Sequence, residues 1–372
     1  MGLSQFMRGA AAAVVAAVCF GAAAPAQDKQ LNLYIWSDYL APDTLANFTR
    51  ETGIAVNVDN FDSSEMLEAK MLAGGSGYDI IVPNGPVLAR LIKARLVRPL
   101  DRATLSNLGT QDPAIAARAA VADPGNAHAV VYMWGTSGLG YNTAKVAERL
   151  GEDAPTDSWA LLFDPANAGK LADCGIYAPD SPADVFEPAL AYLGKDPHTQ
   201  ADADYHAAAS AWTAVRPHIA KFHNSEYVAA LANGDICLAM GYSGDIFQAA
   251  DRAAEAGAGV EIAYTIPKEG AFIWFDFLAI PTDTPNAAAA HAFIDYILRP
   301  DVIGPITNHV YYANPNLRAN DRAASFVSAE ILDDPAVYPT SEVVARLFTE
   351  QTPTPALERL RTRLWTRIKT GQ

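Results

Sequence analysis

The stretch "LNLYIWSDYLAPDTLANF", Leu31 to Phe48, decides the fold class. Leu31–Ile35 alternates with the period of a strand, and Pro42–Thr52 carries helical apolar spacing that stops at Gly53. Between them lies Trp36-Ser37-Asp38-Tyr39, two large rings bracketing a hydroxyl and a carboxylate. The alternation continues downstream. Ile54–Val58 reads as a strand. Asp62 and Glu65 have capping-box spacing for a helix running to about Ala73, and Gly74-Gly75-Ser76-Gly77 ends it. Tyr78–Val82 is a buried-strand run, followed by a helix over Pro86–Leu96. Strand–helix alternation of this kind predicts an α/β chain with a parallel sheet covered on both faces.

A second such region begins near Gly138. Trp159–Phe163 is amphipathic, Tyr205–Val215 is helical, and Ser225 is placed to cap Glu226–Ala232. A strand over Ile236–Gly241 leads into a helix over Asp245–Ala256. Strands are expected over Val260–Ile266 and Ala271–Ile280, and helices over Ala287–Leu298 and Ala356–Lys369. Two lobes follow: residues 27–136 with about 268–320, and 137–267 with about 321–372. Segments near 135–141 and 264–272 would cross between them. Ligands in open α/β sheets sit beyond the carboxyl ends of the strands, so the Trp36 loop is a candidate site by position alone.

The 372 residues are half apolar, enough for two lobes with sizeable cores. Residues 1–26 read as a secretory signal peptide. Arg8 precedes an apolar run of about eleven residues, too short to span a membrane, and Ala24-Pro25-Ala26 is a small-x-small cleavage site. Cys19 follows Val18, a poor context for lipidation. Cleavage leaves Cys174 and Cys237, which in an oxidising compartment either pair or stay as two buried thiols. Pairing would close a loop of about 63 residues, worth roughly 4 kcal/mol in the chain-entropy model. The net charge of −15 speaks against a nucleic-acid partner and is compatible with a cationic ligand.

None of the seven histidines falls in a zinc-binding spacing. Gly135-Thr136-Ser137-Gly138 and Gly241-Tyr242-Ser243-Gly244 are one residue short of the nucleophile-elbow pattern and read as turn glycines. What recurs is an aromatic residue beside an aspartate near strand ends: Trp36 with Asp38, Tyr242 with Asp245, Trp274 with Asp276, and then Tyr311-Tyr312. Each has a structural alternative. Asp38 could start a turn, Asp245 could cap a helix, and Trp274 could be core. Together they suit a slender rod with ammonium ends. Cation–π contacts contribute about 0.5–2 kcal/mol each, buried methylenes about 0.8 kcal/mol each, and carboxylates fix length and register.

The chain resembles the periplasmic polyamine-binding proteins of ABC importers, and among them the putrescine-binding type. The resemblance runs from Leu33 to Lys369 through "WSDYLAPDTLANF", "YDIIVP", "YMWGTSGLGYN", "LANGDICLAMGYSGD", "IPKEGAFIWFDFLAIP" and "HVYYANPN". It implies a two-lobed type II binding-protein fold with the ligand cleft between the lobes. It implies a monomeric periplasmic receptor, not an enzyme, with no cofactor or metal, which captures putrescine or spermidine and delivers it to a membrane permease. Trp36, Ser37, Asp38 and Tyr39 match the family's first binding loop. Asp245 and Asp276 match its ammonium-binding carboxylates, Trp274 and Tyr312 its aromatic box, and Cys174–Cys237 its disulfide. Asn84 stands where the putrescine type begins a serine pair, Asp184 where it has a glutamate, and Tyr242 where it has a tryptophan. Trp274 stands where it has a phenylalanine wall; the shorter acid and smaller Tyr242 imply a longer slot, and Trp274 a slot of altered width. Two other classes remain open: a ferric-ion receptor of the same superfold using Tyr311-Tyr312, and a secreted hydrolase using Ser137 or Ser243.

Overall fold

The computed structural model describes residues 30–323, 326–349 and 353–371. The expected signal segment 1–26 and Cys19 lie outside the described residues. The strands are β1 (Gln30–Trp36), β2 (Ala55–Phe61), β3 (Ile80–Ile81), β4 (Ala129–Asn142), β5 (Ile176–Ala178), β6 (Lys221–Phe222), β7 (Leu238–Tyr242), β8 (Ile262–Thr265), β9 (Phe272–Ala279) and β10 (Phe348–Thr349). They are hydrogen-bonded in the order β2-β1-β3-β9-β4-β7-β5-β6, with β8 on β4 and β10 on β9.

The long strand β4 organises this path. Its first half pairs antiparallel with β9, through Thr136 opposite Ile273. Its second half leaves β9 and pairs with β7 and β8, beginning with Ser137 opposite Tyr242. One strand therefore belongs to both sheets. Its side chains are buried at every position except Tyr141, as expected of a strand covered on both faces. The sequence reading missed β4 because such a strand shows no alternation, and its glycines break the apolar run.

On one side, β1 runs parallel to β2 and to β3. On the other, β5 runs parallel to β6 and to β7. The helices that return the chain between these strands follow sequence rules with small offsets. The first covers Thr44–Thr52, and Gly53 ends it in the left-handed region at φ 70°. The second covers Ser64–Leu72, and its cap is Ser63, not Asp62, with Ser63 Oγ accepting from the Met66 amide. Ser225 does not cap Tyr227–Ala232; the His223 ring accepts from the amides of Ser225 and Glu226 instead. Asp245 is likewise no cap, because its helix begins two residues earlier and spans Ser243–Ala256. No described helix is long and apolar enough to cross a membrane.

The segment after residue 320, expected wholly in the second lobe, divides. Phe348–Thr349 joins the first sheet against β9, whereas the Pro355–Thr370 helix packs on the helices Pro182–Tyr192 and Asp202–Val215. The physical reason is local: Gly270, at φ 104°, lets the Arg346 carbonyl come close and brings the two strands side by side.

The glycine pairs flanking Ser137 and Ser243 have no turn role. None of Gly135, Gly138, Gly241 or Gly244 has a positive φ. Each removes a Cβ where something else must fit. A Cβ on Gly135 would lie 2.6 Å from the Trp274 ring, one on Gly241 2.6 Å from the Tyr227 ring, and one on Gly244 2.5 Å from the Val310 carbonyl.

A disulfide joins Cys174 and Cys237, with Cα atoms 5.6 Å apart. It staples the entry to β5 to the entry to β7, at the amino ends of two paired strands. Replacing both cysteines by alanine should cost about 4 kcal/mol in a urea unfolding experiment, because the unfolded chain regains the entropy of the open loop. An unchanged unfolding midpoint would show that the staple does not limit stability.

Candidate functional site

The carboxyl ends of β1, β2 and β3 on one side face those of β5, β6 and β7 on the other. A cleft opens there with about 840 Å³ of atom-free space, part of it open to solvent. β9 lies along its floor. Phe272, Trp274 and Asp276 sit two residues apart on that strand, so all three present to one face. Trp36 and Ser37 enter from the end of β1, Asn84 from the end of β3, and Ser181 and Asp184 from the segment after β5. Tyr242 and Asp245 come from the end of β7 and the helix it feeds, and Tyr312 from the turn after the Pro300–Val310 helix.

Three carboxylates of the cleft, Asp276 buried and Asp184 and Asp245 partly buried, each receive tyrosine hydroxyls. Tyr39 donates to Asp276 at 2.9 Å. Tyr242 donates to Asp184 at 3.1 Å. Asp245 is gripped from two sides, by Tyr227 and Tyr312, both at 2.6 Å. The phenols remain donors, because burial and the adjacent carboxylates push their pKa values well above the ordinary value.

The carboxylates themselves are perturbed by loss of water. Burial pushes Asp276 up to about 7; the Tyr39 hydroxyl and the nearby Trp36 indole pull it back, and Asp184 adds to the rise. The Trp36 N–H faces this carboxylate without an acceptor at hydrogen-bonding geometry. Burial also raises Asp245, against the Tyr227 and Tyr312 hydroxyls, and Asp184, against Ser181, Tyr242 and the charge of Arg361. Among the described residues, the cleft is lined by five acidic side chains (Asp62, Glu65, Asp184, Asp245 and Asp276) and by no lysine, arginine or histidine.

Aromatic rings complete the wall. Trp274 meets Tyr312 edge-on at 4.9 Å and Tyr242 at 6.0 Å. Trp36 packs on Phe61 at 4.4 Å. Asn84 offers its amide to Ser64 Oγ at 2.9 Å while its own oxygen caps the following helix.

Of the eleven residues singled out from the sequence, ten line this cleft. Asp38 does not. It sits at φ 53° on the outside of the loop, with its side chain 69% exposed and 3.3 Å from Arg252 on the Ser243–Ala256 helix. The left-handed turn at Asp38 swings its carboxylate outward while Ser37 and Tyr39 turn in. Tyr311 and Tyr312 also diverge. Tyr311, left-handed at φ 58°, turns to Phe247, with ring centroids 6.0 Å apart, and only Tyr312 enters the cleft. The phenolate pair that iron would need is not formed. Ser243 Oγ accepts from the Thr136 amide at 3.4 Å, and Ser137 is buried.

Sequence reading missed Phe61, Asp62, Ser63, Ser64, Glu65, Ser181, Asn224, Ser225 and Phe272. Phe272 was recoverable from the two-residue period that includes Trp274 and Asp276. Ser63–Glu65 were recoverable as the first turn of a helix leaving a parallel strand. Asn224 and Ser225 follow a strand of two residues, too short to leave a pattern.

Residues 43–339 match the family described as bacterial extracellular solute-binding protein. The chain is 46% identical over 369 residues to the putrescine-binding periplasmic protein PotF of Escherichia coli (strain K12), covering 99% of this chain and 98% of that one. It is 44% identical over 370 residues to the putrescine-binding periplasmic protein SpuD of Pseudomonas aeruginosa (strain UCBPP-PA14), covering all of both. Among solved structures, the spermidine/putrescine ABC transporter substrate-binding protein PotD from Streptococcus pneumoniae superposes with a TM-score of 0.76 at 26% identity, over 92% of this chain and 99% of that one. Its fold, its cleft and these likenesses agree: the chain belongs to the bacterial extracellular solute-binding proteins.

Proposed function

We propose that this protein is a periplasmic receptor for a polyamine, putrescine or spermidine, which it captures as a monomer between two lobes and hands to the permease of an ABC importer. The observation that carries the reading is the cleft lining: five carboxylates, a wall of rings and, among the described residues, no basic side chain. An anion would find no counter-charge there. A slender cation finds carboxylates at separated points and apolar faces between them, which is the pattern an α,ω-diamine requires. The names of the relatives at 46% and 44% identity point to the same ligand class. Function here is binding without chemistry; removal of residues 1–26 would release the chain into the periplasm. The ligand roles assigned to Trp36, Ser37, Tyr39, Asn84, Asp184, Tyr242, Asp245, Trp274, Asp276 and Tyr312 are part of this proposal, and Asp38 is left out of it.

Calorimetric titration with putrescine, cadaverine, spermidine and spermine tests the reading, and absence of heat with all four would refute it. Given binding, Asp276→Asn should weaken it by about 2 kcal/mol or more, roughly thirtyfold, because a buried ammonium loses its charged partner.

Affinity should also depend on pH in a set direction. The ligand-free fold holds a proton on Asp276 up to about pH 7, whereas a bound ammonium favours the carboxylate. Binding therefore releases a proton, and affinity should fall by roughly tenfold or more between about pH 7.5 and about pH 5.5. The same raised pKa makes the ligand-free protein lose stability as pH climbs from the unfolded carboxylate value near 3.9 toward about 7. The loss should appear as a difference: over that window the ligand-free wild type should lose stability relative to Asp276→Asn, and parallel pH profiles of the two would contradict this assignment.

Gly244→Ala should weaken polyamine binding as well as stability. Its Cβ would meet the Tyr312 ring at 2.7 Å, and such overpacking costs about 1–3 kcal/mol. Wild-type affinity in this variant would show that Tyr312 need not be held in place.

A further inference from the structure

Three turns meet at one end of the cleft: 62–65 after β2, 180–184 after β5, and 223–225 after β6. Beyond them lies a second cavity with about 1020 Å³ of atom-free space, part of it open to solvent. The turns form the partition between the two spaces. Ser181 and Asp184 line the cleft, whereas Asp180 and Pro182 line the second cavity. Ser225 lines the cleft, His223 the second cavity, and Asn224 both. Asp62, Ser63 and Glu65 also border both. One side chain ties the partition together. Asn224 Oδ1 accepts from the Asp180 amide at 2.8 Å, and its Nδ2 donates to the Asp62 carbonyl at 3.2 Å. Asp180 follows a strand of one sheet and Asp62 a strand of the other, so Asn224 bridges the two sides of the cleft. The His223 ring holds this turn by accepting from the Ser225 and Glu226 amides, each at 3.2 Å.

We propose that Asn224 sets the length of the ligand slot: its bridge to Asp62 is the end stop, and the cavity behind it takes the further ammonium groups of a longer polyamine once the bridge is removed. The inference rests on the polyamine reading above.

The second cavity repeats the chemistry of the first. Asp62, Glu65, Asp180 and Glu358 line it, together with the rings of Phe222 and Trp365, whose centroids lie 4.9 Å apart. Its basic side chains among the described residues are His223 and Lys369, and Lys369 is held by Asp180 at 2.7 Å. Acid is therefore in excess on both sides of the partition. The bridge itself is neutral, with the amide donor and the amide acceptor of Asn224 both engaged on protein groups. It offers an ammonium no charge and blocks the way to the carboxylates behind it. A diamine has both its charges within the cleft and needs nothing beyond. Spermine has two further amines, and the bridge separates them from the acids that would pair with them.

Calorimetric titration of the full chain with putrescine and with spermine tests the assignment. Wild type should bind spermine more weakly than putrescine, by about tenfold or more. Asn224→Ala should narrow that gap by about tenfold, chiefly through a gain in spermine affinity, because a methyl group neither bonds to Asp62 nor fills the opening. The double variant Asn224→Ala/Glu358→Gln should lose most of that gain, since Glu358 borders the second cavity and not the cleft. A merely structural role for Asn224 would weaken both amines alike, and an unchanged ratio in Asn224→Ala overturns the inference. Spermine bound by wild type as tightly as putrescine overturns it too, and that measurement needs no variant to fold. Putrescine binding with an unchanged ratio removes the inference alone; a wild-type chain that binds neither amine refutes the receptor reading and takes the inference with it.

Discussion

The site depends on one constraint: a carboxylate taken out of water must find donors or take up a proton. The structure meets it with tyrosine hydroxyls. Tyr39 serves Asp276, Tyr242 serves Asp184, and Tyr227 with Tyr312 serve Asp245. Each bond satisfies one or two of the lone-pair positions on an acid and leaves the rest directed at the cleft. A neutral donor is suited to this task. An arginine or lysine would also satisfy the acid, but it would cancel the charge a cation comes to find. The same phenols present ring faces and edges to the cavity, so one residue type sets both the polar and the apolar part of the wall.

The cost of this arrangement is visible in the acids. Burial raises Asp276, Asp184 and Asp245; the charge of Asp184 adds to the rise at Asp276, and that of Asp38 to the rise at Asp245. An empty cleft is thus the less comfortable state electrostatically, and a bound ammonium relieves it. The arrangement favours ligands that bring positive charge at separated points, which is the property that separates a diamine from a simple monovalent amine.

Much of this was legible in the sequence, for definable reasons. The strands β1 and β7 end in residues that face the cleft, and strand–helix alternation revealed both; β5, with three residues, left no pattern to read. Ten of the eleven chosen residues line the cleft; eight of them lie in the aromatic–aspartate strings, whereas Asn84 and Asp184 rested on the family resemblance. Asp38 failed because one left-handed residue reverses the direction of a side chain, and a Trp-Ser-Asp-Tyr string does not announce which residue takes φ 53°. The strand β4 was missed because burial on both faces erases the alternation that strand detection relies on. The glycines around Ser137 and Ser243 were read as turns because sequence reveals flexibility more readily than it reveals the ring that will occupy the missing Cβ.

Those glycines have a consequence for how such a pocket can change over time. Gly135 and Gly244 fix Trp274 and Tyr312 against bare main chain, with no side chain behind them that could be trimmed or enlarged. That flank cannot be retuned by small steps, since any replacement intrudes at once. The opposite flank, built from Asn84 and the Ser63–Glu65 turn, has ordinary side chains that can be swapped one at a time. Divergence in cargo preference within this scaffold should therefore exchange rings and the Asn84 flank while Gly135 and Gly244 stay as they are.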